Sequence, residues 1–176
     1  MDHATEQAAI TAVLAGDRDA YRPLVERYQA GLIAYAYGIV GDEAAAHDIA
    51  QEAFIAAYRR LGQYKPAYAF STWLYRIARN LAYADLKQHT RWVPYDETLA
   101  DVSAGDDTPE ELDTAKRAAE LHRALGKLRP EWRSALQLYY WEDKSYQEIA
   151  DVLDAPVNTV RVWLSRAKEQ LRSELI

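Results

Sequence analysis

The feature that most limits how this chain can fold lies between Ser145 and Lys168: Ser-Tyr-Gln-Glu-Ile-Ala-Asp-Val-Leu-Asp-Ala-Pro-Val-Asn-Thr-Val-Arg-Val-Trp-Leu-Ser-Arg-Ala-Lys. Ser145 can cap a helix, and Glu148, three residues on, can reach back to it, which is the reciprocal signature of a helix start. Ile149, Ala150 and Leu153 supply that helix with an inward side. Pro156 has no N–H to give to a helix interior but fits a first turn, so a second helix is expected from about Val157. The stretch reads as a helix-turn-helix.

On the second helix Val160, Leu164, Ala167 and Leu171 recur at three- and four-residue spacing and form a packing stripe. Asn158, Arg161, Ser165, Lys168 and Arg172 recur on the other side. A helix of this kind lays its first side chains against base edges in the major groove and its later ones against phosphates. Asn158, Thr159, Arg161 and Val162 are therefore base-reading candidates, and Ser165 shares their face. Arg166, Lys168 and Arg172 are placed to hold the backbone.

The chain has 176 residues, few glycines and prolines, and no run of strict apolar and polar alternation. That favours an all-α protein made of two small helical domains. With no cysteine, disulfides, thiolate metal sites and thiol catalysis are excluded. No segment is apolar for long enough to cross a bilayer, and no signal sequence is evident at the N-terminus, so a cytoplasmic protein without membrane insertion is expected.

The formal charge of −6 argues against a polyanion partner until its distribution is considered. Between Phe54 and Arg91 stand Arg59, Arg60, Lys65, Arg76, Arg79, Lys87 and Arg91, opposed by Asp85 alone. From Trp92 to Ala115 there is no cation, yet Asp96, Glu97, Asp101, Asp106, Asp107, Glu110, Glu111 and Asp113 fall there. Local field decides where nucleic acid binds, and here two basic zones flank an acidic bridge. Without helical period and with Pro94, Gly105 and Pro109, residues 91–111 read as a flexible acidic linker. It divides the chain into domains of residues 1–90 and 112–176.

Within the first domain, Gly41-Asp42 ends one helix and starts the next, which runs from about Glu43 to Leu61. Ile49, Ala53, Phe54, Ala57 and Tyr58 mark its packing side, while Asp48, Gln51 and Glu52 share an exposed one. An aromatic loop, Gln63 to Phe70, then leads into a helix with Leu74, Ile77, Ala78 and Leu81 inward. Arg76, Arg79, Tyr83 and Lys87 line another side, with Trp73 and Asn80 at its margin. Aromatic planes stack on unpaired bases while cations track phosphates, so this region suits single-stranded DNA. Tyr64, Lys65, Tyr68 and Phe70 in the loop are candidates to hold an extruded base.

These segments together resemble the extracytoplasmic-function (ECF) group of the sigma-70 family of bacterial RNA polymerase sigma factors. Ala46-His-Asp-Ile-Ala-Gln-Glu-Ala-Phe54 resembles the family's polymerase-binding helix, and Phe70-Ser-Thr-Trp-Leu-Tyr-Arg-Ile-Ala-Arg-Asn80 its promoter-melting helix. Leu128 to Leu136 and Tyr146-Gln-Glu-Ile-Ala150 resemble the opening of its C-terminal domain. The resemblance implies that Asp48, Gln51, Glu52 and Phe54 bind core RNA polymerase. It also implies that Trp73, Arg76, Asn80 and the loop before them open the downstream promoter element, while the C-terminal domain reads the upstream one. An anti-sigma factor as inhibitory partner is implied as well; no cofactor, metal or catalytic residue is. The chain departs from the family pattern where Val162 stands for a polar residue and Trp163 for a cation.

Two rival classes remain at this stage. A stand-alone helix-turn-helix regulator with a ligand-binding N-terminal domain would footprint a palindrome without polymerase. A helical metalloenzyme would need His47, His89 and His122, which have no helical ligand spacing.

Overall fold

The computed structural model describes residues 3–89, 116–117, 120–121 and 123–175. The expected acidic linker lies outside the described residues. Among those described there is no strand, and the chain is all-α.

Four helices form the N-terminal group: α1 (His3–Leu14), α2 (Arg22–Val40), α3 (Glu43–Arg59) and α4 (Phe70–His89). One 3-10 turn, Arg18–Tyr21, leads into α2, and another, Leu61–Gln63, follows α3. Gly41 ends α2 with φ of 70°, a left-handed conformation in which a Cβ would be strained. Asp42 follows as the cap of α3 and accepts a bond from the Ala45 N–H at 2.7 Å. The expected helix to Leu61 thus stops at Arg59, and Leu61 is buried in the 3-10 turn. Leu24, Leu32, Ala36, Ala46, Ala53, Ala57, Phe70, Leu74 and Tyr75 fill the space between α2, α3 and α4. Small alanines on α3 let its axis approach both neighbours, while Tyr75 and Phe70 supply the bulk.

The C-terminal group is built from α5 (Pro130–Tyr140), α6 (Tyr146–Leu153) and α7 (Val157–Glu174). The capping box forms as the sequence predicts. Ser145 Oγ accepts from the Glu148 N–H at 3.2 Å, and Glu148 Oε2 accepts from the Ser145 N–H at 2.9 Å. Asp154, with φ of 53°, ends α6, and Pro156 caps α7. Ile149, Ala150, Val152 and Leu153 from α6 meet Val160, Leu164 and Ala167 from α7 and Leu136 and Leu138 from α5 in one buried cluster.

The two groups are packed against each other. Helix α4 lies along α6, and α2 lies along α5. At the start of α4, Ser71 and Thr72 meet Lys144 and Glu148; farther along, Arg76 and Arg79 meet Leu153 and Asp154.

Burial opposes ionisation of Glu148, but the bonds from Ser145 and the Lys144 ammonium outweigh it and hold the carboxyl below its usual pKa. A depressed folded pKa contributes stability above the unfolded value of about 4.3, lost as pH falls through the folded value. Denaturant titrations at pH 6 and pH 3 should therefore show Glu148→Gln losing less stability on acidification than the parent. Ser145→Ala, which removes the cap acceptor, should lower stability at pH 7 by about 1 kcal/mol.

Candidate nucleic-acid and polymerase interfaces

On α7 the packing stripe turns the opposite face outward. Asn158, Arg161, Val162, Ser165, Arg166, Lys168 and Arg172 are exposed, and Thr159 is half-buried. Val162 keeps 51% of its surface, an apolar patch of the size a thymine methyl could meet. Two of the cations are steadied by aromatic rings. The Arg161 guanidinium lies 5.8 Å from the Tyr146 ring centroid, and Lys168 Nζ lies 5.5 and 5.4 Å from those of Tyr139 and Tyr140. The Tyr140 hydroxyl in particular holds the Lys168 ammonium above its usual pKa. Tyr139, Tyr140 and Tyr146 carry no helical spacing that would have marked them for this supporting role.

Between the loop before α4 and the start of that helix is a cleft of about 270 Å³. Gln63, Tyr64, Lys65, Tyr68, Thr72, Trp73 and Arg76 line it. The aromatic candidates divide here. Phe70 is fully buried, its ring against Tyr28, Tyr64 and Trp73, so in this conformation it supports the cleft and offers no face to a base. Tyr64 is also buried; its hydroxyl donates to the Tyr68 carbonyl at 2.6 Å and accepts from Gln7 Nε2 at 2.8 Å. Tyr68, 52% exposed, and half-buried Trp73 are the rings with surface to stack on. Lys65 is open to solvent beside them.

Farther along α4 the cations are engaged. Arg76 Nη2 lies 3.2 Å from Asp154 Oδ1, and Arg79 Nη2 donates to the Leu153 carbonyl at 2.6 Å. Arg79 also donates to Asn80 Oδ1 at 2.7 Å and lies 5.1 Å from the Tyr83 ring. Lys87 and Asn80 are exposed. Asp151 of α6 closes one wall of the aromatic cleft. Nothing in the linear sequence signalled the contacts between α4 and α6, because they join residues more than seventy positions apart.

On α3, Asp48, Gln51 and Glu52 are exposed as expected, whereas Phe54 is 6% exposed and accepts a bond from the Tyr21 hydroxyl on its carbonyl at 2.8 Å. Beside them runs an apolar groove of about 770 Å³, lined by Val25 and Ile33 of α2 and by Phe54, Ile55 and Tyr58 of α3. Ile55 keeps 42% of its surface and Tyr58 37%. An Ile standing off the packing stripe of α3 was the one sequence sign of this groove. His47 lines it too, and the described residues hold no cluster of metal-ligating side chains. None of the described helices is long and apolar enough to cross a membrane.

The Sigma-70 region 2 family model matches residues 24–91, and the Sigma-70 region 4 model matches residues 118–171. The chain is 36% identical to the RNA polymerase sigma-H factor of Pseudomonas aeruginosa, over 97% of this chain and 93% of that one. It is 35% identical to the ECF RNA polymerase sigma-E factor of Haemophilus influenzae, over 97% and 95%. Among solved structures, CnrH in complex with the cytosolic domain of CnrY superposes with a TM-score of 0.71 at 25% identity, over 97% of each chain. RpoE of Bartonella quintana in complex with the anti-sigma factor NepR shares the fold, with a TM-score of 0.69 at 20% identity over 88% of this chain and 96% of that one. With both halves matched in order, and relatives alike from end to end, this chain belongs to the ECF group of the sigma-70 family of RNA polymerase sigma factors.

Proposed function

We propose that this protein binds core RNA polymerase and directs it to particular promoters, reading an upstream element with α7 and opening a downstream one with α4 and the loop before it. The observation that carries this reading is the pairing, within one family member, of an outward basic face on a capped helix-turn-helix with an aromatic, cation-edged cleft in the other domain. The protein does no bond chemistry of its own and works in the cytoplasm, where the polymerase is.

Each interface has a distinct physical task. Asn158, Thr159, Arg161 and Val162 at the start of α7 address base edges, with Ser165 on the same face, while Arg166, Lys168 and Arg172 neutralise phosphates. Tyr68 and Trp73 stack on an unpaired base, flanked by Lys65 and Arg76 on the strand. Arg79, Asn80, Tyr83 and Lys87 extend this track along α4, and Tyr64 and Phe70 hold the stacking rings in place. Stacking offsets an unstacking cost of a few kcal/mol per base. Asp48, Gln51 and Glu52, with the groove over Phe54, take up the polymerase: acidic groups meet a basic surface, and Ile55 and Tyr58 bury apolar area. Two weak DNA readers become one selective reader when the polymerase fixes their separation, because the second contact then forms at high effective concentration. An anti-sigma protein covering the α3 surface would switch the activity off.

Run-off transcription with sigma-free core polymerase and a promoter library tests the proposal. Addition of the chain should redirect start sites, and unaltered transcripts would reject it. Arg161→Ala should cut discrimination at the upstream element about tenfold, consistent with a base contact of about 1–3 kcal/mol. Trp73→Ala should leave affinity for core polymerase unchanged while slowing permanganate-detected opening, since stacking on an aromatic plane is worth about 1–3 kcal/mol per base.

A further inference from the structure

We infer that the cleft between α2 and α5 is a binding site for the guanine base of a nucleoside or nucleotide. It shares no lining residue with the aromatic cleft before α4 or with the apolar groove of α3, and it does not depend on the roles proposed for them.

The cleft has a volume of about 400 Å³, within the range that takes a small organic ligand. Its two walls are unlike. On α2, Gly31, Ala34 and Gly38 recur at three- and four-residue spacing and present backbone with almost no side chain. On α5, Arg133 and Gln137 stand one turn apart on one side, and Trp141 continues their line just past the helix end. A Cβ on Gly38 would lie 1.9 Å from Gln137 Nε2, and one on Gly31 2.7 Å from Glu142 Oε1, so the two glycines admit these polar groups against the α2 backbone. A flat strip facing a row of polar and aromatic side chains suits a planar ring.

Several polar groups of the cleft lack partners. Arg133 Nε and Gln137 Oε1 are buried without a hydrogen bond, as is the hydroxyl of Tyr35, a lining residue only 2% exposed. Among the described residues no acid forms an ion pair with Arg133. Burial holds its guanidinium below the usual pKa. Folded proteins rarely leave such groups unpaired, and three gathered on one cavity call for an occupant that completes them.

The orientation of Gln137 narrows the chemistry. Its Nε2 donates to the Ala34 carbonyl at 3.3 Å, which leaves Oε1 as an acceptor in need of a donor. The occupant therefore brings an acceptor to Arg133 and, a turn farther along, donors to Gln137 and to the Glu142 carboxylate. Guanine carries both: O6 and N7 are the acceptor pair that arginine takes, while N1–H and the N2 amino group donate. Adenine sets an amino donor where guanine has O6, so it turns a donor toward Arg133. The Trp141 ring, 59% exposed, gives the base a face to stack on.

Calorimetric titration of the full-length protein with guanosine should show saturable binding at least about tenfold tighter than with adenosine, the discrimination expected of a paired base edge. Inosine, which keeps O6, N7 and N1–H but lacks the N2 amino group, should fall between them. Guanosine monophosphate, titrated alongside, tells a nucleotide site from a nucleoside site by which of the two binds more tightly. Arg133→Met and Trp141→Ala should each weaken guanosine binding about tenfold with helix content unchanged by circular dichroism, and Trp141→Phe, which keeps a ring, should restore most of it. Trp73→Ala should leave guanosine affinity as it is. Absence of saturable binding at millimolar guanosine, with water alone completing the orphaned groups, would overturn the site, and so would equal affinity for guanosine and adenosine. Binding lost in Trp73→Ala but kept in Trp141→Ala would put the base in the cleft before α4, which overturns this inference and leaves the proposed function standing.

Discussion

An eight-residue helix cannot persist alone in water, because nucleation costs more than so few hydrogen bonds return. Helix α6 is such a helix, and the architecture depends on how its two ends are satisfied. Ser145 and Glu148 close its amino end from within the sequence. Its carboxyl end is closed by the left-handed Asp154, whose N–H donates to the Ala150 carbonyl, and by Arg79 of α4, which donates to the Leu153 carbonyl. Between the ends, four apolar side chains are buried with those of α5 and α7, so the short helix is held by tertiary contacts along its inward side.

Because α6 is both the first half of the helix-turn-helix and the element that touches α4, the two proposed nucleic-acid faces are joined through it. The face of α7 stays free while that of α4 is partly engaged. The contrast follows from sidedness: α7 buries its stripe within its own domain, whereas α4 has one side for α2 and α3 and another that meets α6. The apolar groove between α2 and α3 is open in the same conformation.

Aromatic chemistry is used in two ways. Where a ring is anchored by its hydroxyl, as at Tyr64, or packed on several sides, as at Phe70, it builds the wall of a site. Where it stands at the rim, as at Tyr68 and Trp73, it offers a face. Composition cannot distinguish these roles, since all four lie within ten residues of each other.

Helix starts, stops and inward stripes were legible in the sequence, since they depend on residues three or four apart: the capping box at Ser145, the turn at Gly41-Asp42, the break at Pro156 and the stripe of Val160, Leu164 and Ala167. The outward face of α7 was legible for the same reason, being the complement of that stripe. What tertiary structure decided is everything that joins distant segments: the burial of Phe70 and Tyr64, the groove between α2 and α3, the pairing of Arg76 and Arg79 with the end of α6, and the close approach of Tyr75 and Glu142 to Gly31 and of Gln137 to Gly38. Local periodicity fixes which side of a helix is apolar, but only three-dimensional packing chooses which partner covers it and which cation finds its counter-charge within the chain.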